Sequence, residues 1–471
     1  LVSVVFGRGK KPQNAYVVEL ADSSDFDGQL APIESIVSSR KLLTEPIYRL
    51  CRAIADRQGV TLGDVLRAAV PPRAVRVDKN WSPVEPMQFS APTWVGTQPE
   101  AVAKAEIETK AEAETQVSFH APKPHIVSRH GQSESAWLFD ALERAAANLK
   151  HGKSTIVCLP DFRDVDRFVA LTQALGLLEF LNVYQKSATP SEQYARHLRA
   201  LESHAQIVLG SRSVLYAPVD NLAEIIVWDE GDQSHTDQAS PYLSARDHAL
   251  LRQSQSGCAL TFMGHVPSVA LVRLAQLGYL ADQSSAQSAK VSFSDGTARF
   301  DSLAFNTIKA GLKSGPVLVQ VANVGMAAGL YCSACSKRSQ CSRCGGGLWL
   351  DGSNRATCRA CSAFNLNTPC QQCGSTERAM GRAGSHRTVE ELGKSFAGVR
   401  VSESIAANVL DSVDDRPQIV VATPGLAPIP RQGYAAVVCV DSRVFLARDT
   451  LNATEDALRT WANALALLRP D

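Results

Sequence analysis

No apolar run in this chain is long enough to span a bilayer, and the opening stretch "LVSVVFGRGKK" lacks the charged-then-apolar layout of a secretory signal. A cytoplasmic protein is expected. Charge excess is missing too: 48 basic against 47 acidic residues leave a formal charge of +1. No global field advertises a polyanionic partner, so any nucleic acid must be held by local patches. Disulfide pairing is disfavoured by the reducing compartment this implies. A chain of 471 residues has room for roughly two to four domains with sizeable cores. Its first residue lies inside an apparent strand, consistent with a preceding segment outside this numbering.

Cysteine is present but unevenly spread. Cys51, Cys158, Cys258 and Cys439 stand alone in apolar surroundings and read as small buried hydrophobes. The other eight form Cys332-x2-Cys335-x5-Cys341-x2-Cys344-x13-Cys358-x2-Cys361-x8-Cys370-x2-Cys373. A two-residue gap lets both thiolates of a knuckle face one ion, and zinc takes four tetrahedral ligands, so four knuckles make two closed structural sites. A disulfide scaffold or a redox role for one pair are the alternatives. Spacing alone leaves the sharing open. Sequential pairing asks a five-residue gap to close a site, whereas nesting the outer knuckles around the inner two uses longer gaps. Around the ligands Lys337, Arg338, Arg343, Arg355, Arg359 and Arg378 oppose Asp351 and Glu377, six against two or +4, with Trp349 and Phe364 among them. That suits single-strand DNA or a protein partner, or ordinary solvation of a coreless module.

Residues 1–77 read as a small α+β unit. Strands are expected in "LVSVVFGRG" and "QNAYVVEL", a helix in "EPIYRLCRAIADRQG", and another from Thr61 or Asp64 to Pro71-Pro72. Eleven basic and eight acidic residues give it +3. Residues 78–125, rich in proline around "PEAVAKAEIETKAEAE", read as a linker. From 126 onward, strand-like "STIVCLPD", "AQIVLGS", "AEIIVWDEG" and "GCALTFMGH" alternate with helical "RDVDRFVALTQALG" and "PSVALVRLAQLG". A second set, "GPVLVQVAN", "PQIVVATPG" and "YAAVVCVDS", flanks the cysteines. Two α/β lobes with parallel sheets follow, the second interrupted by the metal module.

"NLKHGKSTIVCLPD" carries the Gly152-Lys153-Ser154 tail of a phosphate loop, but Ala147 stands at its first glycine and the order of elements is reversed. Such a loop follows a strand and opens a helix. Here "LFDALERAAANLK" is a helix ending at His151-Gly152, and Lys153-Ser154 enters a strand. The proper slot, in "VSRHGQSESAWLFDAL", has neither lysine nor glycine pair. "EIIVWDEGDQSH" places Asp229 and Glu230 where a magnesium-holding and a water-polarising acid would end a buried strand; ordinary loop chemistry explains the same pair.

Several stretches together resemble the PriA family of superfamily 2 replication-restart helicases. "GSRSVLYAPVDNLAEIIVWDEGD" is similar to GTRSALFAPxxxLxLIIVDEEHD, with Asp229 and Glu230 on its first two acids. "PYLSARDHALLR" is similar to PYYHARDVAxxR, "MGHVPSVA" to a damaged GSATPS, and "LVSVVFGRGKKPQNAYVVEL" to VRVPFGRRxxxGYVV of a domain that captures a nascent 3′ end. The resemblance implies degenerate RecA-like lobes, a two-zinc insertion and a small N-terminal α+β domain. Its expected boundaries are 1–77 (3′-end binding), 78–125 (linker), 126–285 (first lobe), 286–331 and 377–471 (second lobe) and 332–376 (zinc). It also implies that Cys332, Cys335, Cys370 and Cys373 share one zinc, and Cys341, Cys344, Cys358 and Cys361 the other. GVTGSGKTE is absent. "VVATPGLAPIPRQGYAAVVCVD" loses Lys-Gly-His-Asp, and "ATEDALRTWANALALLRPD" stands where Q-V-A-G-R-A-G-R belongs. Four catalytic motifs lost together look like the actinobacterial branch, in which helicase activity is not expected. Asp229 and Glu230 are then vestigial and ATP binding is doubtful. The expected function is a nucleoid-associated restart factor that binds forked DNA, single-strand DNA-binding protein and primosome or helicase-loading proteins. The rivals are an active 3′→5′ helicase and a zinc-dependent adaptor with protein partners only.

Overall fold

The computed structural model describes every residue except 6–10, 29, 84–88, 96–115, 185–188, 285–289, 295–298, 323–329, 336, 338, 351–354, 359–360, 365–368, 381–383, 411, 447, 449 and 471. The Ala/Glu/Lys stretch of the expected linker, Arg338, Asp351 and Arg359 therefore lie outside the described residues. The chain divides into two units, Leu1–Pro122 with Trp137–Ser285, and Lys123–Ala136 with Ala286–Asp471.

The first unit opens with a three-stranded antiparallel sheet, β1 (Val2–Val4) between β2 (Gln13–Ala15) and β3 (Ile33–Ile36). In α1 (Glu45–Gln58) the buried Ile47, Leu50, Cys51 and Ile54 recur at helical spacing, and Gly59 ends the helix in the left-handed region at φ 64. Thr61 caps α2 (Leu62–Ala69) by accepting the Asp64 N–H, and Pro71-Pro72 follow. These apolar faces, with that of the short α3 (Val75–Asn80), pack on Tyr194, Leu198 and Tyr216 of the α/β part.

The α/β part is a seven-stranded sheet. Strand β4 (Val117–His120) lies inside the stretch read as linker: Val117 and Phe119 are buried, but four residues between Gln116 and Ala121-Pro122 are too few for a pattern to show. A hairpin follows, β5 (Ile126–Arg129) and β6 (Gln132–Ser135), belonging to the second unit. The chain then returns through α4 (Ala136–Lys150), β7 (Ser154–Cys158), α5 (Phe162–Ala174), β8 (Leu181–Tyr184), α6 (Pro190–Ala200), β9 (Ile207–Gly210), β10 (Leu222–Trp228), α7 (Ala245–Ser256), β11 (Ala259–Met263), α8 (Val269–Gln276) and β12 (Ala281–Asp282). The order is β12-β4-β11-β10-β7-β9-β8, every pairing parallel. Helices cover both faces, so β7 and β9 are buried along their whole length.

In the second unit α9 (Ser302–Gly311) leads to β13 (Val317–Gln320). The cysteine region carries β14 (Leu330–Cys332), β15 (Leu348–Leu350), β16 (Ala356–Cys358) and β17 (Arg378–Met380). After it come α10 (Gly384–Ser395), β18 (Val401–Ser404), β19 (Ile419–Ala422), β20 (Ala436–Cys439), α11 (Ser442–Leu446) and α12 (Ala453–Leu465). The sheet is β18-β19-β13-β20, all parallel. Val317, Val319, Ile419 and Val421 bury one face; Leu318, Val420 and Ala422 pack the other against Tyr434. Each fully buried side chain contributes about 1.5–3 kcal/mol. Among the described residues no helix is long and apolar enough to cross a membrane.

Candidate functional site

Strand pairing sorts the eight cysteines. β14 runs antiparallel to β17 with Cys332 opposite Arg378, which carries the first knuckle to the fourth. β15 and β16 pair with Leu348 opposite Cys358, carrying the second knuckle to the third. Two four-sulfur groups result, Cys332/Cys335/Cys370/Cys373 and Cys341/Cys344/Cys358/Cys361, each with all sulfurs within 4.8 Å. Observed contacts are 3.4 Å (Cys332–Cys373), 3.5 Å (Cys335–Cys370), 3.7 Å (Cys341–Cys361) and 3.5 Å (Cys344–Cys358). A disulfide requires about 2.05 Å, whereas four sulfurs about 2.3 Å from a tetrahedral zinc stand about 3.8 Å apart. Three knuckles close in the same way. The residue after the second cysteine donates its N–H to the carbonyl of the first and takes positive φ: Gly345, Ser362 and Gly374.

Each group could hold a cation. Backbone N–H groups, that of Cys335 foremost, draw the Cys332 thiol down to about 6, and the Gln372 amide draws Cys370 down. Cys344 also receives the Gly346 amide, yet its neighbours Cys361 and Cys358 push it up to about 12. Cys373, despite the Ser375 amide, is pushed to about 12 by Cys332 and Cys335. Four thiolates in one group repel until a dication offsets them. Of the four lone cysteines, Cys51, Cys158 and Cys258 are buried and Cys439 is partly so. Burial raises all four thiols, Cys51 and Cys439 to about 12.

At the carboxyl edge of the seven-stranded sheet, β10 is followed by Asp229, whose φ of 51 turns the chain, and Glu230; both are buried. The Asp229 N–H donates to the Met263 carbonyl at 2.7 Å. Glu230 accepts from Arg246 Nη1 at 2.8 Å, an ion pair at the start of α7. Burial would lower the Arg246 guanidinium, but the charges of Glu230 and Asp247 hold it above its ordinary value. The sequence reading missed this partner, although the Ala-Arg-Asp run carries it. Space beside the acids is filled. Trp137, in the first turn of α4, stacks on Trp228 with centroids 4.4 Å apart and planes 9° apart; they are 2% and 5% exposed. The His265 ring meets Trp228 edge-on at 5.3 Å, and the Arg167 guanidinium lies 5.9 Å from the Trp137 ring. Nearby, Asp164 keeps its proton up to about 7, because burial and the charges of Asp161, Asp229 and Asp232 outweigh Arg167. The Gly152-Lys153-Ser154 match sits where α4 ends and β7 begins, Gly152 at φ 66.

Asp78, 6% exposed, ties the N-terminal helices to the α/β part. Its carboxylate accepts from Arg73 Nε at 2.6 Å, Tyr194 Oη at 2.9 Å and Ser38 Oγ at 3.2 Å, with Arg40 at 3.3 Å. Burial would raise this carboxyl, and the Arg73, Tyr194 and Ser38 hydrogen bonds hold it below the ordinary value. Nothing in the sequence marks Asp78, since Tyr194 is 116 residues away.

A family description, the 3′ DNA-binding domain (3′BD) of PriA, matches residues 1–71. The probable replication restart protein PriA of Mycobacterium tuberculosis is 32% identical over 487 aligned positions, which cover 97% of this chain and 72% of that protein. The Mycobacterium leprae protein of the same name is 31% identical over 97% of this chain and 72% of its own length. The replication restart protein PriA of Haemophilus influenzae is 25% identical over 63% of this chain and 44% of its own.

Proposed function

This chain belongs to the replication restart protein PriA family, and on that premise we propose that it binds abandoned DNA forks and promotes reloading of the replicative helicase without unwinding DNA itself. Residues 1–77 are the region that holds a nascent 3′ end, joined through 78–125 to the rest. The degenerate RecA-like lobes are 126–285, less the hairpin of β5 and β6 and with β4 added, and 286–331 with 377–471; 332–376 hold two zinc ions, one per four-sulfur group. The partners are forked DNA, single-strand DNA-binding protein and helicase-loading proteins at the nucleoid.

The observation that carries the non-helicase reading is the filled edge of the first sheet. A nucleoside triphosphate needs successive backbone N–H groups and a lysine around its phosphates. Here the connection from β4 to α4 is a hairpin with no lysine past Lys123, and α4 opens on Trp137 stacked against Trp228. An entering polyphosphate meets the charges of Asp161, Asp229 and Asp232 instead. Losing the groups that neutralise transition-state charge costs several orders of magnitude in turnover. For the DNA role, phosphates supply most of the affinity and make it salt-dependent, and the +3 of residues 1–77 places cationic charge in the 3′-end domain.

Fork binding with and without a free leading-strand 3′ end, measured beside ATP turnover on one preparation, tests the reading. A preference for the free end with no DNA-stimulated hydrolysis is expected. Equal, weak binding to both forks refutes the fork-recognition role; turnover abolished by Asp229→Asn refutes the loss of activity. Elemental analysis should give about two zinc per chain.

A further inference from the structure

The ribbon of β15 and β16 has a face that the sulfur groups leave unused. Leu348, Ala356 and Cys358 are buried, so alternation puts Trp349 and Thr357 on the other side. Trp349 stands opposite Thr357, and Thr357 is bridged on its far side to Phe364. Residues directly opposite in antiparallel segments share a face, so Trp349, Thr357 and Phe364 form a row across three short segments. With paired α-carbons about 5 Å apart, those of Trp349 and Phe364 stand about 10 Å apart. Arg355, two residues before Thr357, lies on the same side, its guanidinium 4.6 Å from the centroid of Phe364, a ring 58% exposed. Lys337 and Arg343 of the same region are exposed as well.

We propose that this face binds single-stranded DNA, one base stacking on the Phe364–Arg355 pair and another reaching Trp349, with the surrounding cations drawing the phosphates. Flat π surfaces spaced along a cationic ribbon are what unpaired bases require, and every base offers a ring. An acidic peptide would answer to the charges but gains nothing from a row of rings. Duplex DNA, its bases already stacked, cannot use it. The proposal rests on the fork-binding reading and adds a second DNA contact, separate from the 3′-end region.

The test uses the full chain with its zinc content checked. Binding to oligothymidylate whose 3′ end is blocked by phosphate, which leaves the N-terminal region no free end, is measured beside binding to a fork with a free 3′ end. Phe364→Ala and Arg355→Ala should each weaken binding to the blocked strand about fivefold to a hundredfold. Phe364→Trp should retain it, and all three should still prefer the fork with a free end. Unchanged affinity in Phe364→Ala and Arg355→Ala at unchanged zinc content overturns the proposal and leaves the face to a protein partner. A parent chain that binds forks but not the blocked strand overturns this proposal alone; one that binds neither removes the reading beneath it.

Discussion

At the carboxyl edge of the seven-stranded sheet, indole rings fill the space and Glu230 is neutralised in place by Arg246. In the cysteine module the eight thiols form two groups, with little apolar matter behind them among the described residues beyond Leu330, Leu348 and Ala356. The first region keeps its shape by packing, which no ligand can remove. The second gathers four thiols in each of two groups that could hold a metal ion, and in the proposed zinc-bound form its order would follow its occupancy. A substitution at the packed sheet edge should therefore be survivable, while loss of one cysteine from the coreless module should not.

Metal removal gives the largest separation between the two. Chelation should cost the cysteine module on the order of 10 kcal/mol of ordering free energy. Amide exchange there should become fast, and all eight thiols should titrate, while exchange in β7, β9 and β10 stays slow. Next, Trp137→Ala should destabilise the first unit by about 3–5 kcal/mol in urea unfolding, and ATP should not restore it. Recovery by ATP would show the crevice to be a nucleotide site after all.

Asp78→Asn leaves Arg73 and Arg40 without their carboxylate and should cost about 3 kcal/mol, seen as earlier melting of α1 and α2. Since this carboxyl is held below its ordinary value, its contribution is complete above about pH 4 and fades as pH falls further. The smallest effect concerns Asp164, whose shift has the opposite sign. The folded state keeps the proton up to about 7, so stability declines from the ordinary Asp range up to that pH and stays low beyond it. Asp164→Asn should accordingly raise Tm by a few degrees at pH 8 and leave it unchanged at pH 4.

The sequence was most legible where one signal dominated. Helix α1 follows from its apolar spacing and Gly59, and α2 from Thr61 and the two prolines. Knuckle spacing marked all eight cysteines of the two sulfur groups, though only strand pairing and the family resemblance decided which share a group. Strand β4 escaped because it offers two apolar residues in four. The hairpin of β5 and β6 escaped because its two-residue turn is His130-Gly131, both at positive φ (53 and 77), without the Asn-Gly or Asp-Gly that announces such turns. The stack of Trp137 on Trp228 joins residues 91 positions apart (228 − 137), beyond the reach of any local pattern.

That hairpin has a practical consequence for dissecting the molecule. Residues Lys123–Ala136 belong with Ala286–Asp471, and the Ile126 N–H is satisfied by the Leu468 carbonyl at 2.8 Å. The chain thus passes from one unit to the other three times, so no single cut yields two clean pieces. An expression fragment ending near Ser285 would carry a strand whose acceptor was left in the other tube, and a fragment starting at Ala286 would lack the donor. Co-expression of interleaved segments, rather than truncation, is the way to obtain either half intact.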